Sequence, residues 1–228
     1  MENEKQMWKD KWNKNYSDGY GSPARLGIVE SHQIFGLIRE LRKTDVALEI
    51  GCGRGRFTEI IAKKVKEIHG IDISDVAINK AKLLLSKYEN VKLHNTVDLS
   101  IFKDEMFDLI FSMTVFQHIP RKFTIEYINE AKRLLKKDGI LLFQIMSGDK
   151  YNERDINKNA KEASIGYSKE KIIEIVENAG LKIYNIKASK ETKWGKHNSK
   201  IIEPDTNDKW LWYYVACGNK IQFGGDEK

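Results

Sequence analysis

The sequence predicts an α/β fold in which a mostly parallel sheet is wound by helices on both faces, and three observations carry that prediction. From Val46 onward, short apolar runs alternate with amphipathic stretches of helical period, the pattern of parallel strands joined by crossover helices. A glycine-rich turn, Gly51-Cys52-Gly53-Arg54-Gly55, follows the first apolar run and leads into the first of these helices. The last third abandons the alternation and offers two strands with a polar connection between them.

Strands are expected at Val46–Ile50, Ile68–Ile71, Val91–Asn95, Leu109–Thr114 and Ile140–Ile145, each short and apolar enough to be buried on both faces. Helices are expected at Arg56–Val65, Val76–Ser86, Thr124–Lys136 and Ser168–Ala179. Ser168 and Lys171 make half a capping box, Glu170 suits the positive end of the helix dipole, and Gly180 stops the helix. Lys137-Asp138-Gly139 is expected to end the third helix with the glycine in a left-handed cap. Leu181–Ala188 and Trp210–Cys217 then complete a seven-stranded sheet as an antiparallel hairpin. The segment between them, Ser189–Lys209, is longer than most connections.

Ahead of the first strand, Trp8, Trp12 and Tyr16 recur every four residues and share one helical face. Two readings stand side by side: rings packed into a core, or a cap helix over a cleft with Tyr20-Gly21 as its hinge. With 228 residues the chain has a common single-domain size. We therefore read residues 1–43 as an N-terminal helical cap on a core spanning 44–228.

Composition narrows the function. The chain is 41% hydrophobic and 32% charged, which excludes a disordered or fibrous protein. No apolar run approaches the roughly 20 residues of a membrane helix, and Met1–Lys14 lacks the apolar core of a signal peptide, so a cytoplasmic address is expected. Cys52 and Cys217 are the two cysteines, and their spacing supports neither a disulfide framework nor a metal site. The net charge of +6 suits a phosphate-bearing substrate or an ordinary solvated surface.

The glycine turn is the informative feature. Glycines allow positive φ and let a ligand approach the backbone, and ligands of open α/β sheets bind beyond the carboxyl ends of the strands. A phosphate-binding GxxxxGK loop is absent, and the dinucleotide pattern GxGxxG would need glycine where Arg56 stands. The second strand ends in Gly70-Ile71-Asp72-Ile73-Ser74. An acidic residue there accepts hydrogen bonds from ribose hydroxyls, a geometry shared by NAD and adenosine-type cofactors, so Asp72 points to a ribose and leaves its owner open.

Taken together, ALEIGCGRG, GIDIS, FDLIFSMTVFQHIP and RLLKKDGILLFQI resemble, in order and spacing, the motifs of class I S-adenosylmethionine-dependent methyltransferases over Val46–Gln144. The resemblance implies a Rossmann-like fold, S-adenosyl-L-methionine as cofactor and S-adenosyl-L-homocysteine as product. It implies that Glu49, Gly51 and Gly53 surround the methionine part, with Cys52 and Gly55 of the same turn also in the cofactor site, that Asp72 binds the ribose and that Ile73 packs on adenine. Asp98-Leu99 matches the family's adenine-contacting position, although Asp98 as a turn cap is an equal reading.

Methyl transfer is an in-line displacement, so the nucleophile must be held about 3–3.5 Å from the methyl and water excluded. A hydroxyl acceptor also needs a base. Among five histidines, His118 in Phe116-Gln117-His118-Ile119-Pro120 follows the fourth strand toward the cleft and is the candidate base; a structural histidine is the competing reading. Gln117 is expected to hydrogen-bond cofactor or acceptor. Asp149, Tyr151, Glu153 and Arg154, after the fifth strand, fall where an acceptor pocket would be built.

The Pro-Pro-aromatic motif of nucleic-acid amine methyltransferases is absent after the fourth strand, which reads Ser112-Met113-Thr114-Val115-Phe116. The lysines around Trp194 could hold RNA but read more simply as a solvated surface. A small-molecule acceptor is expected. The Trp-rich start and Asp18-Gly19-Tyr20-Gly21-Ser22 loosely resemble methyltransferases of sugars and polysaccharide precursors. An RNA-directed enzyme and a non-catalytic cofactor-binding module are the alternatives.

Overall fold

A computed structural model describes residues 2–17, 38–148, 165–188 and 212–219. Helix α1 (Glu2–Ser17) comes first. Then β1 (Val46–Ile50), α2 (Arg56–Ala62), β2 (Glu67–Ile71), α3 (Asp75–Leu85) and β3 (Val91–His94) alternate. Strand β4 (Phe107–Ser112) runs into a short 3₁₀ turn (Phe116–His118), followed by α4 (Arg121–Leu134) and the long β5 (Leu135–Ser147). A two-residue β6 (Gly166–Tyr167), α5 (Lys169–Asn178), β7 (Lys182–Ala188) and β8 (Trp212–Gly218) complete the described elements.

The strand order is β3-β2-β1-β4-β5-β8-β7, with β6 pairing alongside β5. Strands β1 to β5 run parallel, whereas β8 inserts antiparallel between β5 and β7. The expected antiparallel pair at the sheet's end is therefore present.

The sheet is covered on both faces, as its apolar strands require. Residues of α1, α4 and α5 meet Leu48, Ile50, Ile110, Leu141 and Phe143 on one face. Helix α2 packs Phe57 and Ile61 against Ala47, Leu109 and Leu142 on the other. The alternation along β1 sends Leu48 and Ile50 to the α4 face, so Ala47 and Glu49 face α2.

Two expectations need correction. Helix α4 ends at Leu134, where Leu135 turns extended, and Gly139 lies inside β5 rather than in a left-handed cap. Pairing shifts register between Phe107 and Leu109, and a Cβ on Gly139 would stand 2.8 Å from the Phe107 carbonyl oxygen. Close backbone approach at a bulge explains this glycine. The sequence reading also misses β6, a pair of residues too short for any periodic signal. Elsewhere, Ser168 caps α5 by accepting from Lys171 N, and Gly180, at φ +73°, follows its end. Among the described residues no helix is long and apolar enough to cross a membrane.

Candidate active site

The site starts where β1 and β2 end side by side. The main-chain N–H groups of Gly51 and Cys52 both donate to the Ile71 carbonyl at 2.9 Å, and Gly55 N donates to the Cys52 carbonyl at 2.9 Å. Gly51, Gly53 and Gly55 all have positive φ, which a side chain at any of them would strain. The turn folds around the Asp72 carboxyl: Gly53 N donates to Oδ2 at 2.9 Å and Ser74 N to Oδ1 at 2.8 Å. Burial raises the Asp72 pKa to about 6 against those two bonds, which favour the charged form. A carboxylate has about four lone-pair sites. Each oxygen therefore keeps acceptor capacity, and Asp72 lines a cavity of about 560 Å³.

Helix α1 roofs that cavity with Trp8, Trp12 and Tyr16. Asn13 Oδ1 accepts from the Ser74 hydroxyl at 2.7 Å and from Val76 N at 3.3 Å. Lys80 Nζ donates to the Tyr16 carbonyl at 2.6 Å, and Lys9 pairs with Asp75. On the opposite flank Lys122 of α4 pairs with Glu4 at 2.8 Å. The roof thus spans from α3 to α4.

Beyond β4 the backbone takes an unusual course. Thr114 has φ +60°, a conformation that non-glycine residues rarely adopt. Gln144 Oε1 of β5 accepts from Thr114 N at 3.0 Å and fixes it there. Val115 consequently lies against Gly51, where a Cβ on the glycine would collide with it. Such a site, with bare main chain at the strand ends and a buried carboxylate beside it, matches an adenosyl ligand in chemistry.

Comparison with known proteins is decisive. A model of the methyltransferase domain matches residues 48–143. An uncharacterized protein of Methanocaldococcus jannaschii is 34% identical over 170 residues, covering 71% of this chain and 75% of that one. Malonyl-[acyl-carrier protein] O-methyltransferase 2 of Ilyobacter polytropus is 29% identical over 166 residues, 70% of this chain and 63% of its own length. The chain thus spans less than two thirds of that relative. A crystal structure of an S-adenosylmethionine-dependent methyltransferase from Mesorhizobium loti shares the fold, with a TM-score of 0.67 at 13% identity over 88% of this chain and 98% of that one. The chain belongs to the class I S-adenosylmethionine-dependent methyltransferases. S-Adenosylmethionine is the cofactor of this family.

The methyltransferase cavity collects some of the expected site residues and not others. Gly51, Asp72, Ile73, Asp98 and Leu99 line it. Gly53 lies under the roof, where a Cβ would stand 2.6 Å from the Tyr16 hydroxyl. Gly55 instead lets α2 approach α3, because a Cβ there would meet Leu85 at 2.6 Å. Cys52 turns its side chain away from the cavity toward Gly70, whose Cβ would stand 3.0 Å from Cys52 Sγ; burial pushes its thiol pKa up. Asp98 serves its own turn by accepting from Ser100 N at 2.8 Å. That bond holds its carboxyl below the usual range.

Glu49 lies behind the glycine turn on the α2 face, 2% exposed, and accepts the Thr58 hydroxyl at 2.5 Å. Burial raises its pKa to about 8, with Thr58 and Arg56 opposing and Asp72 adding to the rise. Gln117 is buried, and its Oε1 has no hydrogen-bond partner among the described residues. Its main-chain carbonyl accepts from Ile165 N at 2.7 Å. His118 is half-buried at the end of the 3₁₀ turn, and its ring meets Trp12 edge-on with centroids 5.7 Å apart.

The sequence reading passes over Thr114, Val115 and Tyr127, which also line the cavity. Tyr127 donates its hydroxyl to the Val97 carbonyl at 3.2 Å, and burial pushes its pKa far up. A polar-tipped residue four positions from Phe123, another lining residue, carries the signal that could have found it. Of the remaining histidines, His69 and His94 share a ring-to-ring hydrogen bond, Nδ1 to Nε2 at 3.0 Å, between β2 and β3; His32 and His197 lie outside the described residues, as do Tyr20-Gly21 and the candidate acceptor residues Asp149, Tyr151, Glu153 and Arg154.

Proposed function

We propose that this chain transfers the methyl group of S-adenosylmethionine to an oxygen of a small-molecule acceptor in the cytoplasm. The observation that carries the reading is the roofed cavity in which Gly51, the buried Asp72 carboxylate and Ile73 converge. When bound, the cofactor supplies a methyl group activated on a sulfonium. Asp72 holds the ribose through its free lone pairs, Ile73 packs on adenine, and Leu99 with the Asp98 turn closes the adenine end. Glu49, Cys52, Gly53 and Gly55 support that cradle from behind or beneath it. Trp12 and Tyr16 exclude water from above, where a displacement benefits from a dry, fixed geometry.

His118 takes the acceptor's proton in this reading. The Trp12 edge contact orients its imidazole at the roof; a neutral imidazole accepts a proton near pH 7. Gln117 contributes a buried acceptor oxygen next to it. The malonyl-[acyl-carrier protein] relative is named as an O-methyltransferase, which favours oxygen as the target. A sugar hydroxyl or a phosphate-bearing metabolite is the acceptor class we favour: the Trp-rich N-terminal segment and His118 prompt the sugar hydroxyl, and the net charge of +6 suits a phosphate.

The test is transfer of label from methyl-labelled S-adenosylmethionine to a panel of low-molecular-weight hydroxyl compounds and, separately, to RNA. Label on a small compound, with His118→Ala slowing transfer at least tenfold while S-adenosylhomocysteine affinity changes less than threefold, is the expected result. Equal rates in that variant would remove His118 as the base. Label on RNA alone would overturn the acceptor class, and cofactor binding without label on anything would make the chain a binding module.

A further inference from the structure

Between β3 and β4 the chain makes a loop that forms one wall of the cavity, and α4 forms the facing wall. Asp98, Leu99 and Ser100 line it from the loop, and Tyr127, Glu130 and Arg133 line it from the helix. The space between them is the end of the cavity to which the proposed function assigns adenine. A planar base is recognised well only where both walls are held at a fixed separation, so the groups that tie loop to helix matter for binding.

One side chain makes most of that connection. Arg133 Nη1 donates to the Phe102 carbonyl at 3.1 Å and to Asp104 Oδ1 at 2.6 Å, and Nη2 donates to the Leu99 carbonyl at 3.2 Å. The remaining donors go to Glu130, one turn back on the same helix: Nη2 to Oε2 at 2.6 Å and Nε to Oε2 at 3.1 Å. Every N–H of the guanidinium is thereby engaged. Arg133 thus lines the cavity with no donor left for a ligand, and acts on one only through the loop. Its main-chain carbonyl also accepts from Glu105 N at 3.0 Å, at a residue whose φ of +52° is rare outside glycine.

The loop is seated in the core at Phe102, 5% exposed, whose ring stands edge-on to those of His69, His94 and Phe107. Tyr127 holds the Val97 carbonyl at the loop's start. Between these two points, Arg133 fixes Leu99 and the Asp98 turn against α4.

We propose that Arg133 is a positioning residue for base recognition: by tying Leu99, Phe102 and Asp104 to Glu130 it sets the separation between the Asp98-Leu99 turn and α4, and with it the preference for adenine over a purine bearing an oxo group in place of the amine. The Asp98 carboxylate accepts from an amine and repels an oxo oxygen, so the selection depends on how closely the turn is held. This rests on the proposed function for the identity of the base, whereas the clamp itself does not.

Hydrogen exchange of the unliganded full chain tests the clamp. Competition binding of S-adenosylhomocysteine and S-inosylhomocysteine, in which an oxo group replaces the adenine amine, tests the recognition. In Arg133→Met, amide exchange over residues 97–105 is expected to accelerate at least tenfold while β1, β4 and β5 exchange as in wild type. S-Adenosylhomocysteine affinity should fall at least tenfold, and its preference over S-inosylhomocysteine at least threefold, a change that a general loss of stability would not produce. Arg133→Lys keeps the charge without the planar fork and is expected to move the same readouts in the same direction; it decides the matter should Arg133→Met fail to fold. Unchanged exchange over residues 97–105 overturns the clamp. Faster exchange with unchanged S-adenosylhomocysteine affinity, or equal weakening of both ligands, overturns the role in base recognition. If the wild-type protein binds neither ligand, the cofactor reading fails instead, and the exchange measurement still decides the clamp.

Discussion

In the proposed function, Asp72 is the side chain that links the local turn to binding. Its carboxylate is held by Gly53 N and Ser74 N, and its pKa is raised to about 6. Ribose hydroxyls need the charged form as acceptor, so the liganded state binds fewer protons. Affinity for S-adenosylhomocysteine is therefore expected to weaken as pH falls below about 6, approaching tenfold per pH unit. Calorimetry between pH 5 and 8 checks this, and a flat profile would place the ribose elsewhere. Glu49 has the opposite consequence for stability. Its folded pKa of about 8 exceeds the ordinary 4.5, so the folded state holds a proton that the unfolded chain releases. That contribution is complete below about 4.5 and is lost as pH rises to about 8. Glu49→Gln removes the titration and keeps an acceptor for Thr58. Its stability relative to wild type should rise by a few kcal/mol, in order of magnitude, from pH 5 to 9, read by denaturant melts; parallel curves would contradict a buried, protonated Glu49.

Helix α1 is the element on which the site's closure depends, and its anchors are specific. Asn13 ties it to Ser74 and Val76 at the start of α3. Asn13→Ala should weaken S-adenosylhomocysteine binding by about 1 kcal/mol, some fivefold, mostly through faster dissociation, while lowering the melting temperature little. Stopped-flow displacement measures it, and an unchanged off-rate would show that the roof does not retain the ligand. Gly53→Ala acts on the same contact from below, because both φ +54° and the Tyr16 hydroxyl oppose a Cβ. The aromatic stripe of this helix was legible at spacing four, since the rings lie on one face whatever they pack against. The direction of that face was not, because the period of a helix says nothing about its neighbour. For the same reason Asp72 and the glycines could be placed on strand ends, yet Cys52 and Gly55 face packing partners on β2 and α3 that only the folded chain brings near. Thr114 and Tyr127 escaped the reading because positive φ at a threonine and a tyrosine turned toward the cavity arise from tertiary contacts, not local propensity.

At the scale of the whole molecule, the sheet order β3-β2-β1-β4-β5-β8-β7 brings the ends of β1, β2 and β4 to one edge and leaves the β8-β7 pair at the far side. The division into a parallel part and an antiparallel end was accessible, since the parallel alternation and the polar connection before the last strand identify both; the strand order was not. The extent of β5 was not, because its bulge opposite Phe107 interrupts the apolar run. The central claim is that the edge formed by β1 and β2 holds an adenosyl ligand through Asp72. Isothermal calorimetry of the folded chain with S-adenosylhomocysteine tests it most directly, with Asp72→Ala and with NAD as the competing nucleotide. One saturable site for S-adenosylhomocysteine, weakened at least tenfold in Asp72→Ala, and no heat with NAD is the expected result. No binding of S-adenosylhomocysteine by folded protein, or NAD binding that Asp72→Ala abolishes, would contradict the account.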